Sequence, residues 1–157
     1  MVNITSAAQA AATAYGALIA LGGDYTYPLS NLSVQISSFF LPNYTAFSLG
    51  EISVSPNASI VAERFISEYT TLRTEGPGTV VKVTDSRVEV VSDQSALCWL
   101  TYRISPQQTN LSGWDWTNVY GFRAVEGGLG NGLDGGWEFA VADQEHEEMA
   151  KRYPDLA

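Results

Sequence analysis

One cysteine, Cys98, and one histidine, His146, are all that the 157 residues hold of the side chains most used for metal ligation and nucleophilic relays. No intrachain disulfide, multi-cysteine zinc site or CxxC redox pair can form. Cys98 lies in the apolar run 96–100, the setting of a buried structural thiol rather than a nucleophile. Basic residues are scarce too: 8 Lys and Arg face 17 Asp and Glu, for a formal charge of -9 and a pI near 4.4. Without a basic cluster nothing neutralises phosphates, so nucleic acid is excluded as a partner. The apolar segment 15–21 is too short and interrupted to span a bilayer, and no basic region precedes it as in an export signal. The expectation is a cytoplasmic protein with no membrane partner. Asn3, Asn31, Asn43, Asn57 and Asn110 each begin an Asn-X-Ser/Thr sequon, which leaves a secreted origin open; the same residues equally supply turn and cap chemistry.

What is present is apolar and aromatic. Hydrophobic residues make up 45% of the chain, enough for the core of one domain over 1–157. Ser6 is a candidate cap for a helix to Leu21, with Ala11, Ala14, Tyr15, Leu18 and Ile19 on its apolar stripe and Gly22-Gly23 ending it. Residues 29–40 repeat at near-helical spacing after Pro28, and Pro42 closes that segment. Residues 44–54 read as two short strands hinged at Gly50. Ser55-Pro56-Asn57 starts a helix over 58–73 whose stripe is Val61, Phe65, Tyr69 and Leu72. Beyond the breaker 75–78 the pattern is strands: 79–83 and 87–91, separated by a polar triplet that fits a bend in one long strand, then 96–104, 114–125 and 137–145. The loop 127–136 holds six glycines but precedes no helix, so it is a hairpin connection and not a phosphate-binding loop. Residues 149–157 are read as a short tail. Helices followed by a long antiparallel meander predict an α+β domain in which a curved sheet wraps around the N-terminal helices.

Alternation along the last strand sets Trp137, Phe139, Val141 and Asp143 on one face and Glu138, Ala140, Ala142 and Gln144 on the other. A carboxylate that ends an apolar row has either a raised pKa in a pocket for a small hydrophobic molecule or an ordinary place in water at a strand end. Trp114, Trp116, Tyr120 and Phe122 share a face of their strand, and Trp99 and Arg103 share one on the strand before; with Phe40 and Tyr44 they form the candidate ligand-lining set. Arg103 is also a candidate partner for a ligand carboxylate or enolate. Arg123 is placed to pair with an acid across the sheet. Asp143, Glu145 and Glu147, about 7 Å apart along a strand, are too far apart for an oxygen cage. No metal and no cofactor is expected, and His146 reads as a solvated terminal histidine. Eight tyrosines and four tryptophans exceed what one small core buries, which suggests a homodimer through the exposed sheet face.

The first helix with its ending at 15–24, and the succession 119–123, glycine loop, 136–143, resemble the nuclear transport factor 2-like superfamily, in particular its SnoaL-like branch, which includes polyketide cyclases and ketosteroid-type isomerases. The resemblance spans most of the chain. It implies a cone-shaped α+β barrel with a central pocket, back-to-back pairing of sheets, and acid/base chemistry without a cofactor, although non-catalytic binding modules share the fold. It places Tyr15 where the isomerases carry an oxyanion-hole tyrosine, and makes Asp143 the pocket carboxylate that moves a proton. It also predicts a general base near residues 47–49, where this chain has no acid; Glu51 is the nearest.

Overall fold

Asn3, not Ser6, begins the first helix: its side chain accepts a hydrogen bond from the Ser6 backbone N–H at 2.9 Å. Asn57 does the same for a later helix through the Ile60 N–H at 3.0 Å, and Asn43 takes a positive φ of 61°. Two of the sequon asparagines therefore cap helices, and Asn43 takes its left-handed backbone within the strand Phe40–Ser48, where pairing is irregular. The computed structural model describes residues 2–156. Its elements are α1 (Ile4–Leu21), α2 (Leu29–Ser37), β1 (Phe40–Ser48), β2 (Glu51–Ser55), α3 (Ala58–Glu75), β3 (Val81–Val90), β4 (Ser95–Ile104), β5 (Trp114–Ala124), β6 (Gly135–Val141), α4 (Asp143–Arg152) and a 3₁₀ turn, Pro154–Leu156.

The six strands form one sheet in the order β2-β1-β6-β5-β4-β3. Neighbours pair antiparallel except β1 and β6, which run parallel, so the sheet is mixed and open rather than the antiparallel closed barrel expected. The polar triplet at 84–86 is a bend within β3, which shifts register between Val83 and Asp85 and stays one strand. Pro42, expected as a helix stop, lies in β1 where the ladder to β6 is interrupted between Phe40 and Thr45, a place that needs no N–H from it. Phe40 accordingly belongs to β1 and not to the second helix.

Two further departures govern the site. A register shift between Gly121 and Phe122 pairs Gly121 with Phe139 but Phe122 with Trp137. Trp137 is thereby turned inward beside Phe122, while Phe139 turns outward over Gly121, whose missing side chain is the space its ring occupies. The expected shared face of Trp137 and Phe139 does not exist. The second departure is that β6 stops at Val141 and Asp143 opens a helix. Asp143 and Glu145 in its first turn and Lys151 and Arg152 in its last complement the helix dipole, and Glu148 pairs with Arg152 at 2.8 Å one turn on. Those charges make residues 143–152 a helix, which alternation could not reveal, and the expected tail is α4 plus the 3₁₀ turn.

The core fills the concave side of the sheet. α1 has the length and mean hydropathy (1.3) of a membrane-spanning helix, more than its apolar segment suggested. Ala7, Ala8, Ala11, Ala12, Tyr15 and Ile19 bury that apolar face with Cys98, Leu100, Phe122 and Trp137 in one cluster. Cys98 is fully buried, and burial pushes its thiol up to about 12, so it is the structural residue expected.

Candidate functional site

Between the concave face and the helices lies a cavity of ≈ 600 Å³, within the range of ordinary small-molecule sites. Strand alternation delivers Trp114, Trp116, Asn118 and Tyr120 of β5 and Tyr102 and Ile104 of β4 to it, α1 contributes Tyr15, β1 contributes Phe40 and Tyr44, and α3 and α4 add Phe65, Glu68, Tyr69, Glu145 and His146.

At the inner end, the Tyr15 ring packs edge-on against Phe39, Phe40 and Trp137, with Tyr120 also in contact, at centroid distances of 5.4 to 6.0 Å. The Tyr102 and Tyr120 hydroxyls hydrogen-bond at 2.5 Å, and Tyr102 stacks on Trp116. Burial, reinforced by their mutual proximity, raises the pKa of Tyr15, Tyr102 and Tyr120 well above the ordinary value. They stay protonated and present hydroxyl donors in an apolar setting.

Two carboxylates face this wall. Glu68 projects from α3 into the lumen, where water reaches it, and desolvation followed by the nearby Glu145 charge raises its pKa to about 7. Glu145 is also raised, chiefly by desolvation; the neighbouring His146, with Nε2 3.8 Å from Glu145 Oε2, and the hydrogen bond from Asn118 act against that shift. Asn118 is 3% exposed and its Nδ2 donates to Glu145 Oε1 at 3.3 Å. The two acids interact, so each proton bound or released on one is felt by the other. Such a pair is suited to hold and release one proton.

Six of the expected site residues meet in this cavity: Tyr15, Phe40, Tyr44, Trp114, Trp116 and Tyr120. Phe122 is fully buried against Trp137 in the core and is not part of the lining. Trp99 and Arg103 are on the convex face, because β4 sends its odd-numbered side chains outward; the Arg87 guanidinium covers Trp99 at 4.7 Å, and Arg103 pairs with Asp115 at 2.9 Å. Arg123 pairs with Glu138 at 2.7 Å, as expected. Asp143 is exposed outside the cavity and accepts the Leu49 N–H at 2.7 Å, bracing the turn between β1 and β2 where Leu49 has a φ of 50°. Ser48 lines the cavity, so the absent acid at 47–49 is an absence from the site itself.

Glu68, Glu145, Asn118, Tyr102 and the lining role of His146 were not anticipated. Two left a signal in the sequence. Glu68 falls inside the α3 stripe, three residues after Phe65 and one before Tyr69, and Asn118 is the one polar residue in the inward row from Trp114 to Phe122. An acid or amide within an apolar row is the mark of a polar group aimed into a cavity.

No family model and no curated protein matches the chain. Solved structures do. An NTF-2-like protein of unknown function from Shewanella oneidensis superposes with a TM-score of 0.61 at 7% identity, covering 87% of this chain and 96% of its own. A ketosteroid isomerase-like protein from Erwinia carotovora gives 0.55 at 12% identity over 87% and 92% of the two chains. A protein with a cystatin-like fold from Caulobacter vibrioides gives 0.59 at 14% identity over 97% and 96%. The chain therefore has the nuclear transport factor 2-like fold, and the similarity does not single out the SnoaL-like branch.

Proposed function

We propose that this protein is a cofactor-independent enzyme of the cyclase, isomerase or dehydratase type, which moves a proton within a hydrophobic, ring-containing metabolite of the polyketide or terpenoid kind. The observation that carries the reading is the placement of two carboxyls with raised pKa, Glu68 and Glu145, opposite buried tyrosine hydroxyls in one apolar cavity. The pair takes the proton-transfer role that the sequence suggested for Asp143. Tyr15 and the Tyr102–Tyr120 pair supply donors for an oxyanion. Deuterium incorporation next to the carbonyl of ketones from a polyketide, steroid and terpenoid panel tests this. We expect exchange whose rate rises with pH through about 7, as a base loses its proton, and falls about 10²-fold or more in Glu68→Gln. Compounds that bind without exchanging would identify a non-catalytic binding module, the reading favoured by the lack of any acid at 47–49.

The same reading includes a homodimer through the convex face. There Leu97, Trp99, Val119, Phe139 and Val141 make an apolar band between the Arg103–Asp115 and Arg123–Glu138 ion pairs, an apolar centre with a polar rim. Sedimentation is expected to give a dimer at micromolar concentration; a monomer independent of concentration would contradict it.

A further inference from the structure

The cavity has the wrong electrostatics for a purely neutral ligand. Its acidic groups are Glu68 and Glu145, and its basic ones Arg64 and His146, the latter beside Glu145. Arg64 is already engaged elsewhere: its Nη1 donates to Ser53 Oγ at 3.2 Å, Val54 O at 3.0 Å and Ser55 Oγ at 2.7 Å, which draws the guanidinium onto β2 although Glu68 stands one turn along on α3. Among the described residues Glu68 has no ion-pair partner. This carboxylate, in the lumen but open to water, has no ion-pair partner in a protein of net charge -9.

A second observation concerns hydrogen bonding. Asn118, 3% exposed, has its Nδ2 fixed on the Glu145 carboxylate, and this sets the orientation of the amide. Its Oδ1 is then a buried acceptor with no partner among the described residues, on the wall of the cavity. A buried acceptor without a donor costs stability unless something supplies an N–H or O–H. Beside it are the faces of Trp116 and Tyr102, stacked with centroids 5.4 Å apart, and Tyr44 lines the same lumen. Aromatic faces attract a cation, the more so where water is excluded.

We infer that the cavity takes a protonated organic amine with an apolar, ring-containing body, its N–H groups shared between the Glu145 carboxylate and Asn118 Oδ1, and its charge balanced by Glu68. The inference rests on the reading of the cavity as a small-molecule site and narrows it to one ligand class. The raised pKa of Glu68, caused by desolvation and then by the Glu145 charge, agrees with two neighbouring acids of which only Glu145 has a basic side chain, His146, beside it; a bound ammonium would supply positive charge to both.

Two probes of near-identical shape decide it: dibenzylamine, protonated at pH 7.5, and the neutral dibenzyl ether, with binding followed by tryptophan quenching. The wild-type protein should bind the amine at least 10-fold more tightly. In Glu145→Gln and in Glu68→Gln, both near-isosteric, the preference should fall while ether binding is kept. Equal or tighter binding of the ether by the wild type would overturn the amine inference and leave the pocket intact, as would a preference that survives both substitutions. If neither probe nor any member of the neutral ketone panel bound, the pocket reading would fall as well. The wild-type comparison stands even if a variant fails to fold.

Discussion

The two faces of one sheet treat charge in opposite ways. On the convex side each arginine of β3, β4 and β5 has a partner: Arg87 with Glu89, Arg103 with Asp115 directly across the ladder, and Arg123 with Glu138 on the next strand. On the concave side two carboxylates face the lumen and the guanidinium nearest in sequence to Glu68 turns away from it. Exposed ion pairs of this kind contribute little, about 0–1 kcal/mol each, and decide solubility and association more than fold. Unbalanced charge in a low-dielectric cavity is costly, and a fold keeps it where chemistry or binding needs it. The face whose charges look busiest is therefore the quieter one.

Two tryptophans, one on each side of the sheet, offer the largest contrast between the faces. Trp137 is fully buried against Tyr15, Tyr120 and Phe122, and Trp137→Ala should cost about 3–5 kcal/mol of stability in chemical denaturation. Trp99→Ala, on the convex face under Arg87, should cost clearly less. Equal losses would mean that the convex face is as tightly packed as the core.

The acid pair makes the next largest difference. Glu68 holds its proton more tightly in the folded chain than in the unfolded one, so its stabilising contribution is complete below about 4.5 and is lost as pH rises through about 7. Thermal melts should show the wild type losing stability over that window relative to Glu68→Gln, by on the order of 1 kcal/mol once screening by water in the lumen is allowed for. Parallel pH profiles for the two proteins would place the carboxylate in ordinary solvent. The smallest effect belongs to the convex face: a double-mutant cycle on Arg103→Ala and Asp115→Ala should return a coupling under about 1 kcal/mol, shrinking with salt. A larger coupling, insensitive to salt, would show the pair to be buried, as it would be at a dimer interface.

Much of the fold was legible because periodicity reports burial directly. The α3 stripe, the β1–β2 hinge at Gly50 and the bend in β3 are all written in the spacing of apolar and polar residues. The aromatic row of β5 was legible for the same reason and supplies three of the six expected residues that line the cavity, Trp114, Trp116 and Tyr120. What failed was read across interruptions that leave no periodic trace. The shift at Gly121 and Phe122 turns Phe139 to the outside, and the acidic start of α4 has the alternation of a continuing strand, which would aim Asp143 at a pocket it does not enter. Two residues further along the same helix, Glu145 does line it, because helical spacing swings side chains by about 100° per residue, whereas a strand would return the second residue to the same face. Glu68 belonged to an α3 face already recognised as apolar, and a polar residue there carried more information than any acid at a strand end.

NMR titration of the side-chain carboxyls of Glu68 and Glu145 in the free protein tests the unneutralised acid pair most directly. An apparent pKa of about 7 for Glu68, falling when Glu145 is replaced by glutamine, is the predicted result. Values near 4.3, the ordinary range for glutamate, and unchanged by the substitution, would contradict it.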